Sequence, residues 1–289
     1  MRIPGTAPLV VGVNGTAAGL AAVRLGAREA VARGRELRVL HAFSWPGTTQ
    51  NGPPPDEYAS ARREASRVVA EAVDTARRST PRVRVSGLIV DGLPSRVLVQ
   101  QSRTAEMIIL GDDDMATLPA VPIDSVLLQT VSRAWCPVVV SRGLQPPIGP
   151  VLAAVDGSPA SLLALQLAAA EARRRGVTVE VVHVVEAAGA AAEAAGHEIL
   201  DAAVAAIPGL RYARKVLLTG DPAGALIRAS RRVRIVIAGP RGRDGAALLG
   251  RVAQQLLHRC ACPTVFVHRA TADDPWSAGT VPTAAALTT

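Results

Sequence analysis

Residues 10–43 read VVGVNGTAAGLAAVRLGAREAVARGRELRVLHAF, and this stretch decides the fold because the chain contains its pattern twice. Residues 152–185 read LAAVDGSPASLLALQLAAAEARRRGVTVEVVHVV, at a constant offset from the first stretch. The matched positions are Asn14 with Asp156, Gly34 with Gly176, His41 with His183, and later Gly92 with Gly220, Gly111 with Gly239 and Cys136 with Cys262. A repeat of this length indicates two copies of one domain rather than a solenoid of small units.

Each copy alternates short apolar runs with stretches of helical periodicity. LVVGV at residues 9–13 is typical of a strand buried on both faces, and the helical spacing that follows ends at Gly34. Strands that alternate with helices need crossover connections, so we predict an α/β fold of two doubly wound, Rossmann-like domains. The predicted boundaries are a first domain at 1–143, a linker at 144–150, a second domain at 151–270 and a disordered tail at 271–289.

The composition is that of a globular chain with aliphatic cores. Of its 289 residues, 49% are hydrophobic and only 2% are aromatic. The net charge of +8 can mark a nucleic-acid partner. However, the arginines are scattered along predicted helices, and few aromatic side chains are present to stack on bases. We therefore expect no nucleic-acid partner.

The cysteines and the amino terminus bear on the location of the chain. Three cysteines do not make a disulfide framework. The amino terminus leads directly into a strand, without the basic and apolar regions of a signal peptide. No apolar run reaches the about 18 residues that a membrane span needs. These features predict a cytoplasmic protein with no membrane partner.

Glycine-containing turns follow the first and fourth predicted strands of both copies. Ligands of doubly wound folds bind beyond the carboxyl ends of the strands, where the strand order reverses. The turns at these positions are Asn14-Gly15-Thr16, Asp156-Gly157-Ser158, 111–114 and 239–242. A glycine-rich turn before a helix can direct backbone N–H groups at phosphate oxygens. The alternative is that these glycines serve only to make a tight turn.

In combination, these features resemble the universal stress protein family in its tandem, two-domain form, over residues 7–142 and 149–269. The resemblance rests on V-D-G-S after strand one, H-V-V ending strand two, the glycine loop after strand four and C-P before strand five. It implies a five-stranded parallel sheet of order 3-2-1-4-5 in each copy, with a final strand that often forms the dimer contact. Some members bind ATP through G-x2-G-x9-G-[S/T], an acidic residue after strand one and a backbone contact near the end of strand two. Members without the motif do not hold nucleotide.

In the second copy, the resemblance assigns nucleotide contacts to six residues: Asp156, Val184, Gly239, Gly242, Gly250 and Arg251. Only seven residues separate Gly242 from Gly250, so the loop is two residues shorter than the motif. Arg251 replaces the hydroxyl residue, and together with Arg241 and Arg243 it adds charge that suits phosphate. We expect ATP as the ligand of this copy, while a shortened loop that closes the space remains the alternative.

In the first copy the spacing of the motif is intact but its chemistry is not. Gly111, Asp114, Asp124 and Ser125 stand at the four motif positions, and Asn14 replaces the acidic residue. Asp112, Asp113 and Asp114 would all face the phosphates. Two like charges about 4 Å apart repel by about 4 kcal/mol even at an effective dielectric near 20. We therefore predict no ATP in this copy, and we favour a solvated acidic loop over a magnesium site.

The remaining candidates have structural explanations. His41 and His183 lie at equivalent strand ends and are expected to be packed and hydrogen-bonded. Cys260 and Cys262 lack the second ligand pair of a zinc site and are expected to be buried at a corner. Asp221 is expected to cap a helix. With no G-x-x-x-x-G-K-[S/T] or G-x-S-x-G motif in the sequence, we expect no catalytic residue and no metal site.

The leading hypothesis is a non-enzymatic, stress-response regulator of the tandem type that binds ATP in its second domain only. Its expected partners are an adenine nucleotide, the other domain of the same chain and, in a homodimer, a second copy. The alternative is a nucleotide-free module for dimerisation or protein docking, in which both sites have decayed.

Overall fold

The computed structural model describes residues 7–45, 55–113, 122, 124–142, 148–210, 213–242 and 248–268. The predicted tail at 271–289 and most of the predicted linker lie outside these residues. The elements of the first copy are β1 (Leu9–Gly12), α1 (Ala17–Arg33), β2 (Glu36–Phe43), α2 (Pro55–Ser79), β3 (Arg84–Asp91), α3 (Pro94–Gln101), β4 (Met107–Gly111), α4 (Val126–Arg133) and β5 (Val138–Ser141). Those of the second copy are β6 (Val151–Ala154), α5 (Pro159–Arg175), β7 (Val179–Val185), α6 (Ala190–Ala205), β8 (Arg214–Thr219), α7 (Pro222–Ser230), β9 (Ile235–Ala238), α8 (Arg251–Arg259) and β10 (Thr264–Phe266).

All ten strands form one sheet, in the order β3-β2-β1-β4-β5-β10-β9-β6-β7-β8. Pairing is parallel within each copy, whereas β5 and β10 pair antiparallel, with Val138 opposite Phe266 and Val140 opposite Thr264. The prediction of two five-stranded sheets is therefore wrong in one respect: the α/β architecture and the order 3-2-1-4-5 within each copy are present, but the two halves form one continuous sheet. The physical reason is that β5 and β10 would each be an edge strand with unpaired backbone groups, and pairing them satisfies both edges.

The first helix of each copy begins and ends with the same local chemistry. Thr16 and Ser158 cap the amino termini by accepting hydrogen bonds from the backbone N–H three residues later. Gly34 and Gly176 end the helices in the left-handed conformation, with φ of 66° and 64°. These signals hold α1 and α5 at equal lengths, and so their amino termini lie at equivalent places beside β1 and β6.

Two aliphatic cores lie on opposite faces of the sheet. One core packs α1, α2, α5 and α6 against the sheet, and the other packs α3, α4, α7 and α8. Each core contains side chains from both copies; Val139 and Val265 share the first, and Val138 and Phe266 share the second. We call the boundary between the copies, where β5 pairs with β10, the seam. Because both cores continue across it, the seam is part of the hydrophobic core and not an interface between two separately folded domains.

A buried ion cluster crosses the seam on the α1/α5 face. Arg33 of α1 pairs with Glu171 of α5, and the equivalent Arg175 pairs with Glu29, 2.6 Å apart. Arg174 also contacts Glu29 and Glu171, at 2.5 Å from each. Burial acts to raise the pKa of Glu29, but the charges of Arg175, Arg174 and Arg33 together lower it below its ordinary value. The cluster therefore joins the carboxyl-terminal ends of α1 and α5, since each helix provides an arginine that pairs with a glutamate of the other.

In the described part of the chain, no helix has both the length and the apolar character needed to cross a membrane.

Candidate functional site

Each copy has a cleft at the carboxyl ends of its strands, but the two clefts differ in size. The cleft of the second copy has a volume of about 670 Å³, against about 180 Å³ for the cleft of the first. All six predicted contact residues line the larger cleft: Asp156, Val184, Gly239, Gly242, Gly250 and Arg251. The fold thus brings together residues that are up to 95 positions apart in sequence (251 minus 156). Their role in nucleotide binding stays a prediction.

Asp156 lies just after β6, and among the described residues one hydrogen bond holds its carboxylate. Its Oδ1 accepts a hydrogen bond from the Ser158 backbone N–H at 2.9 Å. Its Oδ2 faces Gly242, where an added Cβ would come within 3.0 Å of this oxygen. A side chain at position 242 would therefore crowd the carboxylate, so glycine lets the loop pass over the floor of the cleft.

Gly239 and Val184 form two walls of the same cleft. Gly239 follows β9 and lies against the start of α5, since an added Cβ would meet the Ala160 Cβ at 3.1 Å. Val184 lies near the carboxyl end of β7 and is partly buried. Beside it, Glu186 also lines the cleft and is exposed. Glu186 is not among the predicted contact residues, although its place directly after a strand that borders the crevice could have indicated it.

Gly250 closes the shortened loop. Its backbone N–H donates to the Pro240 carbonyl at 2.9 Å, so this donor is already satisfied within the loop. Gly250 is also the N-cap of α8 and provides no side-chain cap. The first turn of α8 includes Val252 and Ala253, which line the cleft. The positive end of the helix dipole therefore borders the cleft without a capping side chain of its own.

The first copy caps the equivalent helix itself. Ser125 accepts a hydrogen bond from the Leu128 backbone N–H at 3.1 Å. Arg251, which stands at the equivalent position in the second copy, instead extends over the rim of the larger cleft and is exposed. It pairs with Asp221 at 2.5 Å, and the other carboxylate oxygen of Asp221 caps α7 by accepting from the Gly224 N–H at 2.8 Å. Asp221 is thus a helix cap, as expected, that also binds Arg251.

Arg241 is the second charged residue at this rim. Its Nε donates to the Leu248 carbonyl at 3.3 Å, across the shortened loop. Its Nη2 donates to the Ser132 carbonyl in α4 at 3.4 Å, so the loop of the second copy touches the first copy. Arg241 is two residues after Gly239, and the residue two positions after the equivalent Gly111 is Asp113. The two clefts therefore carry opposite charges at the same place.

In the first copy, Asp113 occupies the mouth of the cleft. It has a φ of 45°, a left-handed conformation that no other non-glycine residue adopts in the described part of the chain. Its carboxylate accepts hydrogen bonds from Thr16 Oγ1 at 3.0 Å and from Asn14 Nδ2 at 3.3 Å. The carboxylate therefore holds the polar side chains after β1, where the second copy has Asp156.

The neighbouring aspartates do not all face this cleft. Asp112 pairs with the buried Arg142 at 3.1 Å, so the expectation that its charge would point at a ligand is wrong. The reason is that β5 ends beside β4 and places Arg142 within reach of the loop that follows β4. The predicted position of Asp114 lies outside the described residues.

The two histidines are hydrogen-bonded to backbone carbonyls, and the two cysteines are buried. His41 and His183 each donate from Nδ1 to a backbone carbonyl, of Val13 at 2.9 Å and of Val155 at 2.8 Å. The thiols of Cys260 and Cys262 are buried, with 4.0 Å between their sulfur atoms. Their hydrogen bond lowers the pKa of Cys260 to about 6, and the same contact together with burial raises the pKa of Cys262. Among the described residues, no group of three or more His, Cys, Asp or Glu is arranged to hold a metal ion.

Comparison with known proteins identifies the family to which the chain belongs. The family model described as the universal stress protein family matches the chain twice, at residues 6–142 and 147–268. A universal stress protein of Mycobacterium tuberculosis is 31% identical, over 90% of this chain and 97% of its own length.

Two solved structures extend the comparison. A universal stress protein from Archaeoglobus fulgidus superposes with a TM-score of 0.73 at 16% identity, over 91% of this chain and 98% of its own; that likeness shows the fold alone. A universal stress protein solved in complex with cAMP matches 47% of this chain and 97% of its own, at 20% identity and a TM-score of 0.38. From the two family-model matches and the mycobacterial relative, the chain belongs to the universal stress protein family and carries two copies of its domain in tandem.

Proposed function

We propose that this chain is a non-catalytic, stress-response regulator that binds ATP in the cleft of its second copy only. The observation that carries this proposal is the reversal of charge between equivalent loop positions, Arg241 at the larger cleft and Asp113 at the smaller one.

The larger cleft has the size and the donors for a nucleotide. Its volume of about 670 Å³ is within the range of about 300–1,000 Å³ that is typical of small-molecule sites. The uncapped start of α8, Arg241 and Arg251 all line this cleft, and such groups favour phosphates. Asp156 lies in the floor, where a carboxylate suits the hydroxyl groups of a ribose.

The smaller cleft lacks both properties. Its volume of about 180 Å³ is below the range of about 300–1,000 Å³ that is typical of small-molecule sites. The carboxylate of Asp113 stands at its mouth and would repel phosphate by several kcal/mol at about 4 Å in a partly screened site. These two features together support a single site per chain.

The residues of the larger cleft support binding rather than catalysis. Ser161 is the hydroxyl residue that lines it, and its Oγ donates to the Ser158 carbonyl at 2.8 Å. His183 donates its Nδ1–H to the Val155 carbonyl. Among the described residues of this cleft, no nucleophile is hydrogen-bonded to a general base, which is the arrangement that covalent catalysis needs.

A binding role can be transmitted through the loop that follows β9. Arg241 belongs to this loop, lines the cleft and donates to the Ser132 carbonyl of the first copy. A phosphate that attracts the guanidinium group competes with this long hydrogen bond. Nucleotide binding would then shift the population of conformers at the surface where α4 and the loop meet, and this surface would be read by a protein partner.

The test is calorimetric titration of ATP into the whole chain and into two charge-reversed variants. Arg241→Glu is expected to weaken ATP binding by about 10-fold, or about 1.4 kcal/mol, since solvent screens an exposed contact. Arg63→Glu changes the net charge equally on the exposed face of α2 and is the matched control. A third variant, Gly242→Asp, should abolish binding, because its side chain would stand against Asp156 Oδ2. If Arg241→Glu binds ATP as tightly as Arg63→Glu does, the site has been assigned to the wrong loop.

One observation favours the second candidate function, a nucleotide-free docking module. The hydrogen bond from the Gly250 N–H to the Pro240 carbonyl uses a donor that the family's motif would offer to phosphate. If ATP does not protect the wild-type chain against heat while the chain still self-associates, the docking module is the correct function. Because β5 and β10 already pair with each other, a homodimer would have to use another surface.

A further inference from the structure

The seam between the copies has an approximate two-fold symmetry. Because Val138 is opposite Phe266 and Val140 is opposite Thr264, continuing the register places Arg142 beside Cys262 and His268 beside Cys136. Arg142 donates to the Leu257 carbonyl of α8, and His268 donates to the Val131 carbonyl of α4. These two contacts join equivalent positions of the repeat, each from one copy to the helix of the other.

Two departures from this symmetry face each other. The first copy reads Ala134-Trp135-Cys136 where the second reads Cys260-Ala261-Cys262, so the second copy has one additional thiol. The residue that reaches towards this corner is Arg142, whereas the equivalent residue on the other side is His268. An additional thiol and a permanent positive charge thus occur on the same side of the seam.

The additional thiol makes a buried pair. Cys260 and Cys262 are 3% and 1% exposed, and their sulfur atoms are 4.0 Å apart. The local backbone is held by other groups: the Ala261 N–H donates to Ser230 Oγ at 2.9 Å, and Thr264 Oγ1 donates to the Cys262 carbonyl at 3.3 Å. Two metal–sulfur bonds of about 2.3 Å give a sulfur–sulfur distance between about 3.8 Å for tetrahedral and about 4.6 Å for linear geometry. The observed distance is near the short end of this interval, so the two sulfur atoms would move apart by up to about 0.6 Å for linear, two-coordinate binding.

A buried arginine, Arg142, lies at the same corner of the seam. It is 7% exposed, and its Nε–H has no hydrogen-bond partner among the described residues. Burying such a donor without an acceptor is costly, and a nearby anion would relieve the cost. In the continued register of β5 and β10, the Arg142 position lies beside Cys262. Asp112 is on its other side and partly exposed, so it offsets the charge only in part.

We propose that Cys260 and Cys262 bind one soft, monovalent metal ion, Cu(I), in two-coordinate geometry beside Arg142. Thiolate sulfur selects Cu(I) over harder ions. The described residues offer no third ligand of the kind that tetrahedral zinc needs. On binding, each thiol forms one S–Cu bond and releases its proton, and no electron is transferred. The resulting dithiolate–Cu(I) unit carries one negative charge, which faces the guanidinium of Arg142. This inference does not depend on ATP binding.

The experiment is an anaerobic titration of the reduced, full-length protein with Cu(I) against a chromophoric chelator, bicinchoninate. The wild-type protein should retain one equivalent of Cu(I) per chain in competition with the chelator. Cys260→Ala installs the residue that the first copy has at this position, and it should withhold none while keeping the wild-type circular dichroism spectrum. Cys136→Ala removes a different buried thiol and should withhold one equivalent. Arg142→Gln should weaken Cu(I) binding by about 10- to 100-fold, as loss of an outer-shell partner does at other metal sites.

X-ray absorption gives a second readout and should show two sulfur ligands and no nitrogen ligand. The proposal is overturned if Cys260→Ala withholds as much Cu(I) as the wild type, or if Cys136→Ala loses it. It is also overturned if the wild type withholds no Cu(I) but forms a Cys260–Cys262 disulfide with hydrogen peroxide, since the pair would then be a thiol–disulfide switch.

Discussion

Replacing Glu171 by Gln tests whether the exchanged charges of α1 and α5 hold the two copies together. Glu171 is the most buried acid of the cluster, with 4% of its side chain exposed. It contacts Arg33 of the first copy together with Arg174 and Arg175 of its own helix. Gln keeps the shape of the side chain but removes the charge, which leaves three guanidinium groups short of one carboxylate.

The magnitude follows from the burial of the pair. Removing one partner of a buried ion pair costs about 3–5 kcal/mol, and the lower end applies because Glu29 still pairs with Arg174 and Arg175. For chains of this size, 1 kcal/mol shifts the melting temperature by about 2–4 °C. We therefore expect Glu171→Gln to melt about 6–12 °C below the wild type.

The assay is thermal unfolding followed by circular dichroism, with Glu64→Gln as the control. Glu64 forms the same kind of pair with Arg67, also at 2.5 Å, but both side chains are more than half exposed on α2. Exposed pairs contribute little, so this control should melt with the wild type. If the two variants lose the same amount of stability, the cluster across the seam does not stabilise the chain and the reasoning is refuted.

Two further predictions concern charges at the seam and at the larger cleft. Burial acts to raise the pKa of Glu29 in the folded chain, but the charges of Arg175, Arg174 and Arg33 lower it below its ordinary value near 4.5. The ionised carboxylate therefore stabilises the fold above pH 4.5, and this stabilisation is lost as the pH falls through the lowered pKa. Urea unfolding between about pH 5 and pH 3 should therefore show a falling free energy of unfolding, and Glu29→Gln should reduce the slope; an unchanged slope would contradict the assignment. Asp221→Asn keeps the cap of α7 but removes the charge that pairs with Arg251. Because Arg251 is then free to contact phosphate, ATP should bind about 2- to 5-fold more tightly in calorimetric titration. Weaker binding would show that Asp221 positions Arg251 for the ligand.

The repeat and its periodicity predict the helices, the strands and the cleft that gathers the six candidate residues. Asp156, Gly239 and Gly242 could be placed because the carboxyl ends of parallel strands meet at one edge of a sheet. Their surroundings are not local, since Gly242 faces Asp156 and Gly239 faces Ala160, and it is the repeat of parallel strands that predicts this proximity.

The residues alone could not predict the pairing of β5 with β10, because a short apolar strand such as Val138–Ser141 does not identify its neighbour at a sheet edge. Only the family resemblance indicated the final strand as a contact. The contacts that depend on this pairing were missed for the same reason. One of them is the contact of Arg241 with Ser132. The pair between Asp112 and Arg142 was missed for a different reason: it joins the ends of β4 and β5 within the first copy, and the sequence near Asp112 does not show Arg142 as a neighbour. The hydrogen bond from Gly250 to Pro240 was missed because a count of loop residues does not show how a shortened loop closes.

The number of ATP molecules bound per chain tests the central claim most directly. In equilibrium dialysis of the wild-type chain against labelled ATP, a cleft with Arg241 at its rim and a twin closed by Asp113 predict a stoichiometry of one. Two bound molecules would show that the carboxylate of Asp113 does not exclude phosphate, and none would show that the shortened loop has closed the larger cleft to nucleotide.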